Sequence, residues 1–102
     1  MIRRRIRALW ILLGRRDRQR LRLKDAVKKV AEREGDVAAE RYLVEHYRIE
    51  AEKTDPFTHW WEYADLRQQH EDHKIELNVT VRRLESAKAY AAAQRLKLEK
   101  MQ

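Results

Sequence analysis

The chain has 102 residues, 24 Lys+Arg against 17 Asp+Glu, a formal net charge of +7, two glycines, one proline and no cysteine. That length bounds it at a single domain, and the lack of cysteine excludes disulfide frameworks, thiolate chemistry and cysteine-based zinc sites. Charged residues make up 40% and hydrophobic ones 43%, with Ala, Arg, Lys, Glu and Leu dominant. Such a composition describes long helices with an extended apolar surface, one commonly completed by a protein partner or a second copy.

The charge is unevenly placed. Residues 1–33 hold 13 Lys+Arg against 3 Asp+Glu, whereas 34–102 hold 11 against 14. This divides the chain into a basic N-terminal amphipathic helix or arm, 1–33, and a helical hairpin body, 34–102. The asymmetry points to nucleic acid or an anionic membrane surface. Ile2, Ile6, Leu9 and Leu13 recur at the spacing of one helical face, with Trp10 at its edge and Arg3, Arg4, Arg5 and Arg7 on the remaining surface. The apolar run 8–13 is far short of the roughly 20 residues that span a bilayer. No small-residue cleavage site follows it, so neither a transmembrane span nor a secretory signal is expected. The Arg-rich, acid-free beginning is similar to a mitochondrial presequence, but serine is missing from it and arginine continues past Gly14. An intracellular, cytoplasmic or assembly-bound location is expected.

Beyond Gly14, Arg15, Arg16, Arg18, Arg20 and Arg22 crowd together, and Asp17 is the only acid before Asp25. The segment 14–20 reads as a polar stretch of helix or a kink, and a new apolar stripe begins at Leu23, Val27 and Val30. Arginine forks suit phosphate better than lysine does. No aromatic residues are interleaved to stack single-stranded bases, so backbone contact to a duplex or structured RNA is the natural mode. Two other readings stand beside it. The apolar face with Trp10 could sink into an anionic headgroup layer. Alternatively, 2–13 is a core-facing helix whose arginines are solvated or meet acidic protein.

Two turns are predicted. Gly35 reads as the residue ending a first helix and Asp36 as the cap of a second; Asp55-Pro56 reads as a cap with proline at the first position of a third. The expected fold is all-α: an antiparallel three-helix arrangement with helices near 2–33, 36–53 and 56–100. The middle helix shows two apolar stripes, Val37/Val44/Tyr47/Ala51 and Ala38/Tyr42/Ile49, as if sandwiched between the others. In the long C-terminal helix Leu77, Leu84, Ala91 and Leu98 recur at seven, each followed three residues later by Thr80, Ala87, Gln94 or Met101. This is a thin coiled-coil-like seam against the first helix or a second subunit. Ile75, Leu77, Val79 and Val81 also alternate with polar residues, a strand pattern, but no second strand exists to pair with it, and helix is expected.

His70 and His73 share a helix face with Tyr63 and Leu66, and are weak metal candidates beside Glu62 and His59. The more economical account places both in the seam, where their protonation below about pH 6.5 would loosen it. Phe57, Trp60 and Trp61 form the densest aromatic cluster, read either as a core plug where three helices meet or as an anchor for a protein partner. Ser86 is the only serine and has no histidine near it in sequence, and no glycine-rich phosphate loop exists. Neither catalysis, a cofactor nor a small-molecule substrate is expected. In general character the chain resembles small Arg-rich helical proteins of phage or bacterial assemblies. The expected function is a non-enzymatic helical interaction or assembly protein. Leu9, Trp10, Leu13, Phe57, Trp60, Trp61, Leu77, Leu84 and Leu98 are its candidate partner contacts, and the arginines from Arg3 to Arg22 contact an anionic partner, nucleic acid first.

Overall fold

The structure, a computed structural model, describes the backbone of residues 2–101 and the side chains of 7, 10, 11 and 14–101. It is all-helical. Two helices, α1 (Ile2–Lys53) and α2 (Trp60–Lys100), are joined by 54–59, and the described residues include no strand.

The expected three-helix arrangement is therefore corrected to two. α1 runs unbroken through Gly35, and no glycine has the positive φ that a helix-ending position would need. Asp36 pairs with Arg33 (3.5 Å) inside the helix and caps nothing. The reason lies in the flanking pattern: Val30, Arg33, Val37 and Glu40 keep one continuous buried or half-buried face across an exposed Gly35. Packing along that face outweighs the roughly 1 kcal/mol that glycine costs a helix interior. A Cβ built on Gly35 meets nothing within 4 Å. Gly35→Ala is accordingly expected to stabilise the chain by about 0.5–1 kcal/mol, read as a raised midpoint in thermal unfolding followed by circular dichroism. A lowered midpoint would show that the backbone at 35 is not helical.

Burial follows a 3-4 spacing in both helices. Taking position a as Arg16, Leu23, Val30, Val37, Val44 and Ala51 in α1, position d is Gln19, Ala26, Arg33, Glu40 and Tyr47. In α2, a is Tyr63, His70, Leu77, Leu84, Ala91 and Leu98, and d is Leu66, His73, Thr80, Ala87 and Gln94. Every one of these is buried or half-buried, and the six residues that are buried among the described side chains all belong to them. Only Ala26, Val37 and Ala51 are apolar members of that six; Gln19, Thr80 and Gln94 are polar. The strand-like alternation over 75–81 loses to this spacing, because Leu77, Thr80 and Leu84 hold the seam while Ile75 points out at 64% exposure.

The chain forms two compact units. Residues Met1–Ala31 and Ser86–Gln102 make one, and Glu32–Glu85 the other. In the first, α1 and α2 segments run antiparallel. Gln19, 2% exposed, donates from Nε2 to the Gln94 backbone carbonyl and to Gln94 Oε1, both at 2.9 Å. Arg16 donates from Nε (3.2 Å) and Nη2 (2.9 Å) to the Met101 carbonyl, satisfying an orphan acceptor at the end of α2. Lys97 and Lys100 in the last turn of α2 suit its dipole.

The second unit is the hairpin around 54–59. Thr54 turns the chain, its N–H reaching the Ala51 carbonyl (3.2 Å) and its hydroxyl the Glu50 carbonyl (2.8 Å). Asp55 then accepts from the Phe57 N–H (2.9 Å) and the Thr58 hydroxyl (2.8 Å), and these bonds hold its carboxyl below the usual range. The chain does turn at Asp55-Pro56, but Pro56 is not the first residue of a helix: 56–59 form turns and bends, and α2 begins at Trp60. The stripe Val37/Val44/Tyr47/Ala51 is the seam here. Ala38 and Tyr42 of the other stripe face outward, since no third helix covers them. His73 lies in the seam with Nδ1 2.8 Å from Glu40 Oε2, stacked on Tyr47 at 5.2 Å.

Candidate functional site

The fold-back of α2 sharpens the charge division. The unit of 1–31 and 86–102 carries 16 Lys+Arg against 3 Asp+Glu, a net of +13; Glu32–Glu85 carries 8 against 14, a net of −6. The C-terminal segment brings Lys88, Arg95, Lys97 and Lys100 to the same unit as the arm. These residues lie in 34–102, the body in the sequence, where nothing in their spacing singles them out. The short 54–59 connection, which forces α2 back along α1, was the signal that could have found them.

Within this basic unit the side chains of Arg7, Arg15, Arg18, Arg20, Arg22, Lys24 and Lys28 are exposed. Asp17 comes within 4.0 Å of Arg20, and Arg18 Nε bonds the Gly14 carbonyl (3.3 Å). Among the described residues, Arg7, Arg15 and Arg22 enter no ion pair. Arg16 differs from its neighbours, being half-buried and committed to the Met101 carbonyl. Arg3, Arg4, Arg5, Leu9 and Leu13 lie outside the described side chains. α1 has no acid in its first turn to complement its dipole. In heptad terms Arg15 and Arg22 take position g and Arg18 position c, adjacent stripes along one flank of α1. Lys97 and Lys100 take the same two positions in α2.

The acidic unit handles its cations differently. Arg48 binds Glu45 and, at 2.7 Å, Glu52; Lys53 approaches Glu50 (3.9 Å) and Lys74 approaches Glu71 (3.6 Å). The hydrogen bond from Arg48 holds the Glu45 carboxyl below its ordinary value, and both carboxylates raise the Arg48 guanidinium. These surface pairs add little stability, and among the described residues Arg41, Arg67, Arg82 and Arg83 of the same unit enter none of them.

The aromatic cluster is not a core plug. Phe57 is 88% exposed, Trp60 60% and Trp61 72%, because the third helix that would have covered them does not exist. Trp60 and Trp61 meet edge to face at 5.2 Å and, with Ala64 and Asp65, line a shallow hollow. Trp10, at 71%, and Ile11 are exposed on α1. Leu77, Leu84 and Leu98 are half-buried at a positions of the seam.

His70 Nδ1 is 4.0 Å from Glu71 and His73 faces Glu40, so the two imidazoles have different carboxylate neighbours. Among the described residues no group of three or more His, Asp or Glu is arranged to hold a metal ion. Among them, too, no helix is long and apolar enough to cross a membrane. No family model matches the chain, and no curated protein or solved structure is significantly similar to it.

Proposed function

We propose that the chain is a non-enzymatic assembly protein, an antiparallel coiled-coil hairpin whose basic unit binds the phosphate backbone of nucleic acid within a larger intracellular assembly. The observation that carries this is the +13 unit with an exposed arginine flank that its own carboxylates leave unpaired. Such a surface repels itself, and phosphates relieve that repulsion while releasing their counterions. Contacts of this kind go to backbone oxygens and carry no base sequence. The polar seam supports a scaffold role, since its hydrogen-bonded Gln19–Gln94 and Glu40–His73 layers fix register.

A membrane-surface reading has one observation of its own: Trp10 and Ile11 are exposed beside Arg7. Binding of the purified chain to duplex DNA, structured RNA and anionic vesicles, each across a salt series, separates the two. The proposal expects tight binding to nucleic acid, steeply weakened by salt and unchanged in a Trp10→Gln/Ile11→Gln variant. Binding to vesicles alone, abolished in that variant, would replace it with the membrane reading. Binding to none of the three would assign the arginines to acidic protein.

A further inference from the structure

The start of α2 holds a small hollow that the nucleic-acid reading does not use. Trp60 and Ala64 are four residues apart, as are Trp61 and Asp65, so the four side chains stand in two neighbouring columns on one side of the helix. They line a hollow of about 200 Å³, with Ala64 as its floor and the two indoles as its walls. The ring centroids are 5.2 Å apart and the planes meet at 87°, a right-angled corner of two π faces. Asp65 supplies the one charge in the lining.

No neighbouring cation of the chain serves this corner. Trp60 and Trp61 are 60% and 72% exposed, and among the described residues Asp65 enters no hydrogen bond or ion pair. Residues 54–65 contain Asp55, Glu62 and Asp65 but no lysine or arginine. Asp55 is taken up by the Phe57 N–H and the Thr58 hydroxyl. The next cation along α2, Arg67, turns to Tyr63 instead: its Nη1 donates to the hydroxyl (3.2 Å), and its guanidinium carbon lies 5.8 Å from the ring centroid. Two open π faces beside an unpaired carboxylate call for a cation from outside.

The size and shape of the corner select which cation. At about 200 Å³ it falls below the roughly 300 Å³ at which small-molecule sites begin, and it holds a single side chain. A guanidinium is planar: laid on one indole, it turns an N–H edge to the face of the other and its fork to a carboxylate. An ammonium is a compact, strongly hydrated point charge and cannot stack in this way. We propose that the Trp60–Trp61–Asp65 hollow binds an arginine side chain of a basic partner protein, a contact separate from the anion-binding surface of the basic unit. The hollow and the exposed Glu62 belong to the unit of net charge −6, whose field favours the approach of a basic segment.

The test is a titration of the full-length chain with N-acetyl-arginine amide, following the indole Nε1–H resonances of its three tryptophans by NMR. Those of Trp60 and Trp61 are expected to shift saturably. N-acetyl-lysine amide should bind at least about threefold more weakly, and Asp65→Asn should weaken the arginine probe at least about fivefold. Asp65 is exposed and makes no bond within the chain among the described residues, so this variant keeps the fold. Trp10 is the internal control: it is as exposed, at 71%, but lies in a stretch, 1–16, without an acid, and its resonance should stay fixed. Equal shifts at all three indoles, no preference for arginine, or an Asp65→Asn variant that binds as wild type does overturns the proposal. Resonances of Trp60 and Trp61 that move on dilution of the chain alone would overturn it as well, by giving the hollow to a second copy.

Discussion

Arg15→Gln/Arg18→Gln/Arg22→Gln is expected to weaken binding to duplex DNA by roughly 100-fold near 0.1 M salt and to flatten its salt dependence. Each phosphate neutralised contributes about 0.9 to the slope of log affinity against log salt, so losing three contacts removes up to about 2.7. The three side chains are exposed, lie on adjacent stripes of α1 and enter no ion pair among the described residues. Their replacement therefore subtracts phosphate contacts and leaves the seam alone. Arg16 is left out because its guanidinium holds the Met101 carbonyl, and a change there would mix folding with binding. The matched control is Arg41→Gln/Arg67→Gln/Lys74→Gln, which removes the same three charges from the acidic unit. Affinity within about twofold of wild type is expected for it, since charges beyond a Debye length are largely screened. Equal losses in the two variants would mean that net charge alone, and no particular surface, drives binding.

The second large effect falls on stability. Gln19→Ala is expected to destabilise the chain by about 1–3 kcal/mol, a fall of roughly 5–20 °C in the thermal midpoint. Gln19 and Gln94 are 2% and 4% exposed, and the Nε2 donor of Gln19 serves both the side-chain and the backbone oxygen of Gln94. Truncating it leaves a buried amide without its partner, which costs more than the bond itself contributed. Gln19→Leu/Gln94→Leu has the opposite expectation, a midpoint equal to or above that of wild type, because no polar group is then stranded. The double variant should also lose uniqueness of register, visible as a mixture of oligomers, since a polar seam layer specifies alignment at a cost in stability. A single-variant midpoint indistinguishable from wild type would show that Gln19 is hydrated rather than buried.

Much of this architecture is legible in the residues, and the failures have identifiable causes. The seam of α2 was readable because Leu77, Leu84, Ala91 and Leu98 repeat at seven, and His70 and His73 fall into the same register. In α1 the corresponding seam was obscured. Its a and d positions include Arg16, Gln19, Arg33 and Glu40, so a search for apolar periodicity loses the phase where polar residues carry the packing. Gly35 then supplied a false stop, since a glycine signals a helix end only where the backbone turns left-handed. A helix break at Gly35 would supply a third helix to bury Phe57, Trp60 and Trp61; with α1 unbroken they stand exposed. Charge was legible along the chain, but its full concentration was not, because Lys88, Arg95, Lys97 and Lys100 join the arm only once α2 folds back. Pairings such as Glu40 with His73 depend on alignment between helices, which a single sequence does not display.

Both segments of the basic unit are proposed to form one surface for a nucleic-acid backbone. The most direct measurement is a backbone amide NMR titration of the chain with a short duplex. Shifts are expected to cluster at 15–22 in α1 and at 97–100 in α2, to be lost together at high salt, and to leave 40–75 unmoved. Shifts centred on 40–75, or on 15–22 with none at 97–100, would contradict it.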